Sequence, residues 1–122
     1  MKYVLMFTSD PEIDRTLPAE QVEDDYRRIY EWFETNAASI ADGGAELQPV
    51  DTATTVRTGP DGPVVVDGPF SEAKEVIGGF SIIDVADLDA AIALARTWPS
   101  LGVPGSSVEI RPMVEDYSRF EE

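Results

Sequence analysis

The chain begins with a short apolar block, Lys2 to Phe7, of strand length and rich in Tyr, Val and Phe. Alternation puts Tyr3, Leu5 and Phe7 on one face and Val4 and Met6 on the other. Both faces are apolar, so the pattern predicts a central strand rather than an edge. Asp10-Pro11 then begins a polar loop. From Leu17 to Ala41 the residues Val22, Tyr26, Ile29, Phe33, Ala37 and Ile40 recur at spacings of three and four, which predicts an amphipathic helix. Pro18 suits its first turn and Gly43-Gly44 its C-terminal stop. Tyr30 and Trp32 fall off the main stripe. They fit either a wide stripe or a pocket wall or subunit contact.

After Pro49 the period shortens to two. Thr52 to Arg57 is β-branched and alternating, Pro60-Asp61-Gly62 suits a tight turn, and Val64 to Val66 follows, which predicts a hairpin from Thr52 to Asp67. Gly79 to Val85 reads as another strand. Asp87 is placed to cap a second helix carrying Leu88, Ala91, Ile92, Ala95 and Trp98, ended by Pro99. Val108 to Met113 reads as the last strand, with Val108 and Ile110 inward. Residues 115–122 form an acidic tail with two aromatics. The order predicts one α+β domain over residues 1–122, a ferredoxin-like β-α-β-β-α-β sandwich with an extra β-hairpin. Its helices would cover one sheet face only. The strands are apolar on both faces, so a second copy is expected against the other, giving a homodimer.

Composition narrows the chemistry. Among 122 residues, 9 Lys plus Arg stand against 24 Asp plus Glu, a net charge of -15. That argues against nucleic acid or an anionic membrane as partner. There is no Cys and no His. Thiol nucleophiles, thiolate metal sites, Ser-His-Asp catalysis and imidazole proton transfer are therefore excluded. No apolar run approaches the ~20 residues of a membrane span, and the expectation is a cytoplasmic protein. No cofactor or metal is expected. Gly78-Gly79 leads into a strand rather than a helix N-terminus, and there is no Asp-x-Asp-x-Asp-Gly loop.

The candidate site is the loop from Asp67 to Glu75, with Gly68, Pro69, Phe70, Glu72 and Lys74 between. Asp67 would serve as a base if buried, and Lys74 as an acid or an anion holder. Arg57 on the preceding hairpin is a candidate electrophilic partner. The alternative is architectural: Asp67-Gly68-Pro69 makes a turn with Gly68 at positive φ, Phe70 anchors the loop, and Lys74 forms an ion pair with a carboxylate. Carboxylates beside Lys74 keep it charged, and Lys74 makes a neighbouring carboxylate a weaker base, which opposes catalysis. Three functions stay open on the residues: a small-molecule-binding or accessory protein with its pocket between the sheet, the first helix and the Asp67–Glu75 loop, an isomerase or lyase using Asp67 with Lys74 or Arg57, and a protein-interaction module acting through its dimer surface or acidic tail.

Asp67-Gly68-Pro69-Phe70, followed by Glu72, Lys74-Glu75 and Gly78-Gly79-Phe80, resembles the signature of the DGPF-domain proteins within the YCII-related family. Leu47-Gln48-Pro49, Thr52 to Arg57 and Val108-Glu109-Ile110-Arg111-Pro112 are similar too. The resemblance implies a dimeric α+β barrel, ferredoxin-like in each subunit. It implies a bacterial, largely uncharacterised family, some members of which are encoded beside extracytoplasmic-function sigma factors, so that a sigma-factor association is expected. Shorter relatives carry a His-Asp pair proposed for acid–base work, and a few act on chlorinated aromatic rings. With no His, this chain has no such pair.

Overall fold

The computed structural model describes residues 1–69 and 73–118. Strand β1 (Lys2–Ser9) lies between β5 (Val76–Asp84) and β6 (Ser107–Pro112), and β2 (Ile40–Glu46) pairs with the far side of β5. All three pairings are antiparallel. The chain crosses from β1 to β2 through α1 (Pro11–Asp14) and α2 (Ala19–Thr35), and from β5 to β6 through α3 (Leu88–Ala95). The order β2-β5-β1-β6 is that of a ferredoxin-like sheet. Strands β3 (Thr54–Gly59) and β4 (Gly62–Asp67) form a separate two-stranded sheet, inserted between β2 and β5. No described helix is long and apolar enough to cross a membrane.

Strand β1 is central as predicted, hydrogen-bonded to β5 on one side and to β6 on the other. Leu5 faces Ser81 and Ile110 across the ladders, and Tyr3 faces Ile83. Tyr3, Leu5 and Ile83 form the buried sheet side of the core. Trp32 from α2, Ala91 and Ala95 from α3, and Trp98 complete it. The small Ala91 and Ala95 let α3 approach the sheet closely, while the large indoles fill the space beside them. Trp32 is the one fully buried residue of α2, so its departure from the stripe reflects a wide apolar face. Its indole N–H donates to Thr97 Oγ1 at 2.8 Å, which satisfies the polar end of a buried ring.

The hairpin and the last strand form as predicted. Helix α3 starts as predicted, with the Asp87 carboxylate accepting from the Ala90 N–H at 2.8 Å, but it ends at Ala95, so Trp98, expected within it, lies beyond its end. Two further predictions are corrected. The helix expected over Leu17 to Ala41 ends at Thr35. Asn36 turns out of helical backbone (φ -104°, ψ 15°), and its side-chain amide donates to the Trp32 carbonyl at 2.8 Å. Ala37–Ser39 makes a single tight turn, and Ile40, expected as the last helical position, starts β2 opposite Ile83. Gly43-Gly44 therefore lies inside a strand and does not stop a helix. The second correction concerns Asp10, expected at the start of a loop. It caps α1, accepting from the Glu12 N–H at 3.0 Å, with Pro11 in the first helical position, where its missing N–H costs nothing.

Candidate functional site

The inward-facing residues of β5 shrink along the strand, from Ile83 to Ser81 to Gly79. Toward Gly79 there is less and less side chain between the sheet and α2. Strand β2 continues the trend with Gly43 and Gly44. At Gly44, φ is +71° and a Cβ would lie 1.8 Å from the Phe80 carbonyl oxygen, so no side chain fits. At Gly79 a Cβ would lie 2.9 Å from the Ala45 carbonyl oxygen. Ser81 is fully buried, and its hydroxyl donates to the Gly43 carbonyl at 2.8 Å, tying the two glycine-bearing strands together. The result is a cavity of about 560 Å³ under α2, from Val22 to Phe33.

The roof is the α2 face carrying Tyr26, Ile29, Tyr30 and Phe33, whose spacing of three and four aligns them along one side of the helix. At the back, Phe7 stacks on Trp98 with centroids 3.9 Å apart and planes 17° apart. Trp32 stands edge-on to Trp98 at 5.1 Å and to Phe33 at 5.1 Å, which holds these walls in place. Asp14, Asp25 and Glu46 are the carboxylate-bearing residues among those lining the cavity. Tyr26 donates its phenolic hydrogen to the Glu46 carboxylate. That bond, with partial burial and the nearby Glu46 charge, pushes the Tyr26 hydroxyl up to about 12. Tyr26 is therefore a fixed donor, and Glu46 an anchored anion. Tyr30, 70% exposed, lies at the cavity as a wall residue.

A second cleft, of about 570 Å³, lies on the other side of Asp10 and is lined by Glu12, Arg15, Val50, Pro69 and Lys74 among others. Asp10 is only 1% exposed. One oxygen caps α1 and the other lies 3.6 Å from Lys74 Nζ. Gly105 (φ +81°) permits this packing, because a Cβ there would come within 2.9 Å of the Asp10 Cβ. The expected ion pair of Lys74 is thus present, and its partner is a buried carboxylate 64 positions earlier in the chain.

Of the predicted site residues, Pro69 and Lys74 reach this cleft, whereas Asp67, Gly68, Glu75 and Arg57 are not among the residues lining either cavity. Asp67 is exposed at the end of β4, which removes the burial its role as a base required. Gly68 takes positive φ (+105°) as expected. Its N–H donates to the Ala53 carbonyl at 2.8 Å, and its carbonyl accepts from Thr55 Oγ1 at 2.7 Å. Asp67-Gly68-Pro69 is therefore a turn built onto the hairpin. Phe70 and Glu72 lie outside the described residues. A pocket against the first helix, with Tyr30 on its wall, agrees with the expectation from sequence, whereas Asp10 and the glycine floor of the cavity were not foreseen. A usable signal was present: two Gly-Gly pairs in one small chain, Gly43-Gly44 and Gly78-Gly79, which adjacent strands bring side by side.

Fold and cavity define an α+β sandwich of one helical layer on one sheet, with an aromatic-walled space between helix and sheet. Residues 1–115 match the YCII-related domain, and the chain belongs to that family. An uncharacterised protein of Rhizobium meliloti (strain 1021) is 41% identical over 69 residues, which cover 57% of this chain and 56% of that protein. The match thus spans little more than half of the relative's length.

Proposed function

We propose that this protein binds a small, largely apolar molecule in the cavity between α2 and the glycine-bearing edge of the sheet. The observation that carries this reading is the space itself: about 560 Å³ walled by Phe7, Tyr26, Tyr30, Phe33 and Trp98, with a few polar groups on one side. Ligand sites usually combine such a volume and apolar lining with a small number of placed polar groups. This reading moves the binding site away from the Asp67–Glu75 loop. Pro69 and Lys74 of that loop flank the neighbouring cleft, and Lys74 acts there by pairing with Asp10. We further propose that the functional unit is a homodimer, with a second copy on the sheet face away from the helices.

The test is a titration of the full chain with phenols of one shape and three charges, neutral, cationic and anionic, followed by amide and indole NMR signals. Saturable shifts are expected at Gly43, Gly44, Gly78, Gly79 and the Trp98 indole for at least one probe. They should vanish in Ile29→Trp, which fills the space from the roof, while that variant keeps a dispersed spectrum. If no probe shifts these signals saturably, or if Ile29→Trp binds as well as the parent, the reading is wrong.

A further inference from the structure

We propose that the ligand of the α2 cavity is an organic cation, an amine or quaternary ammonium on an apolar or aromatic body. This rests on the binding role proposed above and adds the ligand's charge.

Three independent features converge on it. The first is the sign of the lining. Asp14, Asp25 and Glu46 line the cavity, and among its described lining residues there is no Lys or Arg. The second is how α2 distributes its charges. Arg27 pairs with Asp24 and Glu31, and Arg28 pairs with Asp24. None of these four residues lines the cavity, so the helix neutralises its cations elsewhere on its surface. Among the described residues, no cation pairs with Asp14 or Asp25. The third is the wall. Aromatic rings carry negative charge on their faces, and a cation within about 6 Å of a ring centroid is attracted to them. The hydrogen bond from Tyr26 to Glu46 pushes electron density back into the Tyr26 ring and strengthens that attraction. The phenol stays protonated because its acidity is suppressed, so the donor persists across the neutral range.

A neutral occupant would leave this one-signed lining unused, and an anion would be repelled by it. The second cleft carries both signs, Asp10 and Glu12 with Arg15 and Lys74, so the one-signed lining belongs to the α2 cavity.

The experiment compares (4-hydroxyphenyl)trimethylammonium, its neutral isostere 4-tert-butylphenol, and 4-hydroxybenzenesulfonate, by NMR titration of the full chain. It is run at pH 6.5 and about 0.15 M salt, where the Debye length is about 8 Å and the net charge of the molecule is largely screened. The cation is expected to bind about tenfold more tightly than the neutral isostere, and the sulfonate more weakly than either. The preference should fall toward one in Glu46→Gln and in Asp25→Asn, with the fold of each checked by its spectrum. If the neutral probe binds as tightly as the cation, or the sulfonate binds best, the charge assignment fails while the binding role stands. If the preference survives unchanged in both variants, the lining is not its source and the proposal is overturned. If none of the three binds, both proposals fall.

Discussion

Asp10 shows how one carboxylate serves two ends of the structure. Buried almost completely, it satisfies an orphan N–H of α1 with one oxygen and faces the Lys74 ammonium with the other. Lys74 is 75% exposed, so solvent screens most of the attraction. Lys74→Met is therefore expected to cost less than about 1 kcal/mol, whereas Asp10→Ala, which also removes the cap, should cost about 1–2 kcal/mol. Urea titrations of the two variants check this order, and a costlier Lys74→Met would contradict it. Tyr26 makes a second prediction at this scale. Its hydroxyl titrates near 12 instead of near 10 because the folded state holds the proton against Glu46. The stability from this bond is fully present below pH about 10 and is lost as pH rises through about 12, since the unfolded chain gives up the proton first. Absorbance of the phenolate should show one of the four tyrosines ionising late, and Tyr26→Phe should remove that step. The glycines supply a third contrast. At Gly68 no atom of the described residues lies within 4 Å of an added Cβ, so the strain of its positive φ sets the cost of Gly68→Val, about 1–3 kcal/mol. At Gly44 a Cβ would strike the Phe80 carbonyl, so Gly44→Ala must part β2 from β5 and should cost more. Denaturation midpoints of the two variants decide it.

The elements that announce themselves in the sequence are those whose signals are local. The Thr54–Asp67 hairpin carries its turn and its alternation within 14 residues. Helix α3 carries its cap at Asp87, and Asp87→Ala should cost about 1 kcal/mol in thermal or chemical unfolding while leaving the sheet intact. Strand β1 was legible as central because both faces are apolar. Strand β2 was not legible, for a physical reason. Ala37 and Ile40 prolong the apolar stripe of α2, and the helix ends where Asn36 leaves helical backbone, with no proline or glycine to mark the place. The strand itself, Ile40 to Glu46, has two glycines and no alternation, and is held by register with β5 and by the Ser81 hydroxyl. The cavity follows the same logic. It consists of side chains that are absent, and absence at Gly44 and Gly79 means something only once β2 and β5 are adjacent. Tyr26 and Phe33 were read as core positions on the right face of α2. What that face looks onto depends on residues of other strands, from Gly44, 18 positions after Tyr26, to Gly79, 53 positions after it.

The molecule as a whole leaves apolar surface uncovered. Away from the helices, Val4, Met6 and Ile82 share a face with Phe80, which is 36% exposed. Among the described residues the hairpin forms a sheet of its own two strands, and it exposes Val56, Val64, Val65 and Val66. A two-stranded ribbon is marginal alone in water and needs packing to persist. A second copy would supply it. Light scattering at micromolar concentration is expected to report twice the 13.3 kDa of one chain, and added salt should tighten the pair by screening the net charge of -15 on each copy. Phe80→Glu should shift the population to monomer, and a monomeric parent at these concentrations would overturn the dimer. The central position of β1 has one more consequence, in the time the chain takes to be made. Both neighbours of β1 come from the C-terminal half, the nearer beginning at Val76. At about 5–20 residues per second, a ribosome that has finished β1 needs roughly 4–15 s more before β5 can pair with it. For that interval the most apolar strand of the protein waits with two open edges, beside a helix that can lend it only side chains.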